Sequence, residues 1–230
     1  MTDILQVGIL PVLLTLVSYQ VGLFFQKKIR SPLCNPILIA VLLVIVFLSL
    51  TGISVSDYRS GTASISWLMT PATICLAVPM YEQFRILRKN FMLMAAGISA
   101  GAVSCLAMVL IFGLVFRFDP ALTISMLPKS VTSAIGVPLS GLAGGVESIT
   151  TAAIILTGIF ASMLGPTFCK WFKVTHPVAM GVALGTSGHV IATARANEIG
   201  SLTGAASSLS LVVAGLLTAS IFPLLIKLVS

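Results

Sequence analysis

The chain alternates long apolar stretches with short polar or basic ones. Apolar runs occupy residues 4–25, 36–50, 62–80, 91–116, 121–145, 149–168, 177–196 and 202–229. Crossing the roughly 30 Å hydrocarbon core of a bilayer takes about 20 apolar residues in a helix, so most of these runs are of spanning length. The pattern predicts an all-α, polytopic membrane protein with about seven or eight spanning or re-entrant helical segments. The whole chain, residues 1–230, reads as one membrane domain with no sizeable soluble part.

Three of the segments are interrupted. Residues 62–80 carry Pro71 and Pro79, residues 121–145 carry Pro128, Pro138 and a cluster of glycines, and residues 177–196 carry Gly185 and Gly188. A proline removes a backbone donor and clashes with the preceding turn, and in lipid the freed carbonyls need partners in protein or in a wet cavity. We therefore expect these three segments to break near mid-membrane and converge on one cavity. By contrast, residues 91–116 and 149–168 read as ordinary spans.

Composition agrees with lipid as the solvent. Apolar residues make up 57% of the chain and charged residues 8%, too little polar surface to coat a soluble globule of this size. The net charge of +7 comes from scattered lysines and arginines that form no dense run with interleaved aromatics, so nucleic acid is not an expected partner. Residues 1–25 lack a basic leader and a cleavage site, and they read as a first span rather than a signal peptide. Cys34, Cys75, Cys105 and Cys169 show no metal-ligand or disulfide spacing and read as small core residues, so no cofactor is expected.

Basic residues also suggest an orientation. Placing Lys27, Lys28, Arg30, Arg85, Arg88 and Lys89 in the cytoplasm puts the N-terminus and the loops at Arg59 and Arg117 outside. Lys170 and Lys173 then fall inside only if residues 121–145 dip into the membrane and return, which is the arrangement we expect. A weak echo between Asn35-Pro36-Ile-Leu-Ile-Ala-Val-Leu and His176-Pro177-Val-Ala-Met-Gly-Val-Ala hints at internal repeats. The two copies are inverted if residues 121–145 cross and parallel if they re-enter.

The sign of the charges within apolar segments narrows the chemistry. The six acidic residues lie at segment ends or in loops, whereas Lys129, His189 and Arg195 lie at candidate membrane depth. Charge at that depth is expensive and marks function, and here it is positive, which suits a small anion better than a cation. A helix beginning near Pro128 would align Lys129, Thr132, Ser133 and Gly136, with its N-terminal amides facing the anion. The alternative is that Lys129 snorkels to the interface while Thr132 and Ser133 bond back to their own helix.

In the run Gly185-Thr186-Ser187-Gly188-His189, helical spacing puts Thr186, His189 and Thr193 on one face and Arg195 elsewhere. His189 could be a ligand or only an interhelical hydrogen-bonding group. Pro71 and Thr73 could line the same cavity or merely kink a helix. The small residues of Gly204-Ala205-Ala206-Ser207-Ser208 suit close helix packing. No nucleophile triad, metal-ligand spacing or phosphate loop appears, so an enzyme is not expected.

These stretches carry a family resemblance. Leu127-Pro128-Lys129-Ser130-Val131-Thr132 resembles the L-P-K-S-V-T signature of the LrgB/CidB family of bacterial inner-membrane proteins. Thr70-Pro71-Ala72 with Leu76-Ala77-Val78-Pro79-Met80-Tyr81 is similar to the family's P-A-x-x-x-L-A-x-P-L-Y stretch. Asn35-Pro36, Leu50-Thr51-Gly52-Ile53-Ser54, Leu184-Gly185-Thr186, His189 and Thr193-Ala194-Arg195-Ala196 match in order. The chain departs in having Ser133-Ala134-Ile135-Gly136 where the family usually has T-P-I-A, and Thr203 where it tends to have glutamate.

The resemblance implies one of two roles: modulation of murein hydrolase activity and autolysis alongside a small holin-like LrgA/CidA partner, or transport of small monocarboxylates, as in the related plastid glycolate/glycerate carrier. It further implies a multi-pass bacterial inner-membrane protein. The candidate site residues from the charge and break pattern are Lys129, Ser130, Thr132, Ser133, His189, Thr193, Arg195, Pro71 and Thr73. The expected partners are a small carboxylate anion, the bilayer, an LrgA/CidA-like protein and further copies of the chain.

Overall fold

The computed structural model describes residues 9–29, 35–75 and 77–229. The start of the first span, Asp3, Arg30 and Cys34 lie outside these residues, as do the side chains of Thr73 and Pro79. The described residues are helical and turn, as expected for an all-α membrane protein. They pack into two units, residues 1–75 and 76–230.

The first unit holds α1 (Leu10–Ile29), α2 (Pro36–Thr51), α3 (Val55–Gly61), α4 (Ala63–Trp67) and α5 (Met69–Cys75). Asn35 caps α2, its side chain accepting from the amides of Ile37 and Leu38, and Pro36 occupies the first helical position, where no donor is lost. Gly22 of α1 lies against the backbone of Pro36, and the Thr15 and Tyr58 hydroxyls meet at 2.7 Å.

The second unit holds α6 (Ala77–Glu82), α7 (Phe84–Lys89), α8 (Phe91–Val115), α9 (Pro120–Met126), a 3-10 turn (Leu127–Ser130), α10 (Ser133–Leu142), α11 (Glu147–Trp171), α12 (Pro177–Ile199) and α13 (Ser201–Val229). Among the described residues, α8, α11, α12 and α13 are long and apolar enough to cross a membrane. Large apolar side chains such as Leu93, Leu114, Phe160 and Leu216 are more than half exposed, an arrangement that only an apolar surrounding stabilises. Among the described residues of 62–80 the helix is interrupted at Leu68, between α4 and α5, whereas Pro71, where a break is expected, lies inside α5.

Residues 121–145 dip into the membrane and return. At the start of the dip, Asp119 caps α9, and Thr123 lies against Gly113 near the C-terminal end of α8. At its close, Gly145 lies against Ile124 and Ser125, and the Ser125 hydroxyl accepts from the amide of Val146 at 2.7 Å. Gly136 of the returning arm lies against Pro128 of the turn between the arms. Both ends of the segment are therefore at the Arg117 end of α8. The tip, residues 127–132, shares a small void with Ala102, Cys105 and Leu106, near the middle of α8.

The break falls at Pro128, but the helix that follows it starts later than expected. No α-helix starts at Pro128. Leu127–Ser130 is a 3-10 turn, Val131 and Thr132 are extended, and α10 begins at Ser133 with Thr132 as its N-cap. Lys129 is thus not on one helical face with Thr132, Ser133 and Gly136, because an extended pair of residues separates the turn from the helix.

The second interrupted segment is also a hairpin, which its length alone conceals. Within α12, Gly188 (φ −134°) and His189 (φ 42°, ψ −138°) leave helical geometry. Before the break, Gly181 packs against Thr203 and Ser207, and Gly185 against Ser207 and Ser210. After it, the Thr193 hydroxyl bonds that of Ser207 at 2.8 Å, and Asn197 lies against Gly204. Both arms thus face the same first turns of α13, so the chain enters and leaves at one end. Each arm of about 10 residues rises about 15 Å, half the hydrocarbon thickness. Thr186, His189 and Thr193 accordingly do not share a helical face: one is on each arm and one at the turn.

The two hairpins enter from opposite ends. Val178 clusters with Leu87 and Met94, so the second hairpin enters beside the N-terminal end of α8, while the first enters at its C-terminal end. The order is a span, α8, followed by a hairpin, then a span in the other direction, α11, followed by a hairpin from the other side. This inverted arrangement relates residues 91–142 to residues 147–199, not the two Asn/His-Pro segments. Both of those segments begin a helix with proline at its first position. Among the described residues the core has three parts: Leu87, Met94, Ile98, Ala205 and Ala206 toward the His176 end, Leu106, Val109, Ile124, Leu127 and Phe222 toward the Arg117 end, and Leu184, Ala192 and Ala196 on the second hairpin.

Candidate functional site

Lys129 sits on the tip of the first hairpin and Ser187 on the tip of the second. Together they line a cavity of about 570 Å³. Its remaining walls include Cys105 of α8, Met126 of the first hairpin, Thr157, Phe160 and Leu164 of α11, and Leu184 of the second hairpin. It extends along α11 as far as Phe168 and Cys169, toward the His176 end of the unit.

Lys129 is partly buried, and among the described residues no carboxylate pairs with it. An ammonium group at half-depth without a counter-ion is costly, and an anion entering the cavity would offset that cost. Ser187 contributes differently from a donor. Its hydroxyl donates to the Ala183 carbonyl at 2.7 Å, so only its oxygen lone pairs face the cavity.

Ser130, the next residue, faces the other way. It is 8% exposed, and its hydroxyl has no hydrogen-bond partner among the described residues. It lines a separate void of about 10 Å³ with Val131, Thr186 and Thr218, room for a single water-sized group and too little for a carboxylate. The 3-10 turn separates neighbouring side chains by about 120°, which divides the Lys-Ser pair between two cavities.

His189 is held by the scaffold. Its Nε2 donates to the Ile154 carbonyl oxygen at 2.9 Å, and it does not line the Lys129 cavity. Gly158 makes this approach possible: a Cβ there would lie 2.8 Å from Nε2. Thr193 is fully buried, donates to the His189 carbonyl at 2.8 Å and meets Ser207. Arg195 is on the surface and pairs with Glu198 three residues on. Thr132 is half-buried, Ser133 is exposed, and neither lines the cavity.

The motif-bearing stretches, from the 3-10 turn at Lys129 to the break at Gly188, thus meet at half-depth in one inverted arrangement, within a chain matched along nearly its whole length, residues 15–228, by the model of the LrgB-like family. The chain belongs to the LrgB-like family. No solved structure matches it. Of the candidate site residues read from the sequence, Lys129 lines the larger of these two cavities and Ser130 the smaller void. Pro71 and Thr73 belong to α5 in the first unit, and the site described here is confined to the second.

Sequence reasoning missed Ser187, Thr157 and the apolar wall of α11. In the sequence Ser187 stands out only as part of the Gly185–Gly188 run. The α11 residues carry no signal in an LrgB-like sequence, because a span that lines a cavity has the same hydropathy as one that faces lipid.

Proposed function

We propose that this LrgB-like protein is a carrier of small monocarboxylates such as pyruvate or glycolate, working in a bacterial inner membrane, and that it performs no covalent chemistry. The observation that carries this reading is Lys129, an unpaired cation on a hairpin tip at half-depth, at the inner end of a cavity shared with the opposing tip. A carboxylate moving out of water loses its hydration, and a fixed ammonium with its hydrogen-bond donors offsets that loss. Two hairpins entering from opposite sides and meeting at half-depth are the arrangement that places a site at the crossing point of a carrier. A structural component of the membrane has no need of an unpaired lysine there.

Uptake of labelled pyruvate and glycolate into vesicles containing the purified protein tests the proposal. Lys129→Met keeps much of the side-chain length while deleting charge and donors. We expect it to reduce uptake at least 100-fold without loss of folded protein, with Lys129→Arg retaining part of the activity. Parental uptake by a folded Lys129→Met variant would overturn the reading. Uptake seen only when an LrgA/CidA-like protein is added would assign transport to the pair.

A further inference from the structure

We infer that the Thr157 hydroxyl is a specificity determinant of the Lys129 cavity, recognising the oxygen that 2-oxo and 2-hydroxy monocarboxylates carry beside the carboxyl group and that a plain fatty acid lacks. This deepens the carboxylate reading and rests on it. Thr157 lies on α11 at the level of both hairpin tips. Ile154, one turn before it, lies beside Gly136 and accepts from His189 through its carbonyl; Gly158 lies against the His189 ring, and Ala161 against Gly188. Between these contacts Thr157 lines the same cavity as Lys129 and Ser187.

A hydroxyl in a membrane helix is ordinarily satisfied by donating back to a carbonyl of the preceding turn. Thr151, Thr186 and Ser187 all do so, to Glu147, Val182 and Ala183. Thr157 does not, and among the described residues its hydroxyl has no hydrogen-bond partner. An unpaired hydroxyl and the unpaired Lys129 ammonium, both costly away from water, thus face one volume. With the carboxylate on Lys129, the oxygen on the neighbouring carbon needs a second partner. The Ser187 hydrogen is committed to Ala183, and the Cys105 and Cys169 thiols on the walls are weak donors. The Thr157 hydroxyl both donates and accepts, so it serves a keto oxygen and a hydroxyl alike. An acid without that oxygen leaves Thr157 unpaired, which is how a polar site rejects an analogue lacking the matching group. The cavity opens to the membrane side beside Leu156 and Phe160, 51% and 55% exposed, so its volume sets no upper size and discrimination rests on these polar contacts.

The test is binding of propionate, lactate and pyruvate to the full-length protein in lipid nanodiscs, read by calorimetry. These acids have the same carbon skeleton and differ only beside the carboxyl group. The parent should bind pyruvate and lactate about three- to tenfold more tightly than propionate, the value of one neutral hydrogen bond. Thr157→Val keeps the shape and deletes the hydroxyl, and should bring all three acids within about twofold of one another by weakening pyruvate and lactate. Thr157→Ser should keep the preference, and Lys129→Met should weaken all three acids together. Without any acid, Thr157→Val should melt no lower than the parent, because the hydroxyl it removes bonds nothing in the protein.

If the parent binds the three acids equally, or Thr157→Val weakens propionate as much as pyruvate, while Lys129→Met still weakens all three, the role of Thr157 is overturned and the carboxylate reading stands. A Thr157→Val protein that melts lower and keeps the parental preference would likewise make Thr157 part of the scaffold. If Lys129→Met binds all three acids as the parent does, both readings are overturned.

Discussion

The Nε2 of His189 donates to the carbonyl oxygen of Ile154 at 2.9 Å, fastening the tip of the second hairpin to the N-terminal third of α11. The backbone of His189 has φ 42° and ψ −138°, a conformation that favours glycine. Strain at such a position amounts to about 1–3 kcal/mol and persists only where surrounding contacts hold it. Here the hydrogen bond and the close packing on Gly158 hold it.

Two substitutions separate these effects. His189→Ala loses the bond and keeps the strain, and should destabilise the protein by about 1–3 kcal/mol. His189→Gly loses the bond but relieves the strain, and should be about 1 kcal/mol less damaging. Thermal unfolding in nanodiscs distinguishes them, and a glycine variant less stable than the alanine variant would contradict the backbone geometry.

The two re-entrant hairpins make a sidedness prediction. With Cys75, Cys105 and Cys169, and the remaining Cys34, replaced by serine or alanine, single cysteines at positions 117 and 142 should react with an impermeant thiol reagent from one side. Cysteines at positions 88 and 173 should react only from the other. Because basic residues Arg85, Arg88, Lys89, Lys170 and Lys173 gather at the His176 end, that end should be cytoplasmic. Labelling of positions 117 and 142 from opposite sides would mean that residues 121–145 cross the membrane after all.

Thr193 tests the division between scaffold and site. It is buried between the His189 carbonyl and the Ser207 hydroxyl. Thr193→Val should cost about 1–2 kcal/mol of stability, since it leaves the Ser207 hydroxyl without that partner. Carboxylate affinity measured in nanodiscs should be the same in the folded variant as in the parent. A loss of affinity larger than the loss of folded protein would bring Thr193 into the site.

The amino-acid sequence was sufficient for the solvent, the helical segments and the places where they break. Hydropathy reports what surrounds a helix, and proline and glycine report where its backbone fails, so the breaks near Pro128 and at Gly188 were both legible. Lys129 was legible too, because a cation within an apolar run stands out against the cost of placing it there.

Direction was not legible. Residues 177–199 have the length and hydropathy of a span, and only their contacts show a hairpin: Gly181, Gly185 and Thr193 all meet residues 203–210 of α13. A chain that folds back at half-depth buries the same kind of surface as one that continues, so the two have the same composition. The sharing of the tips was equally hidden. Lys129 and Ser130 are neighbours in the motif, yet a 3-10 turn sends one to the large cavity and the other to the small void. The wall opposite Lys129 comes from α11, whose Leu156, Phe160 and Leu164 satisfy lipid and ligand chain alike, so only the packing of three separate elements makes a cavity of them.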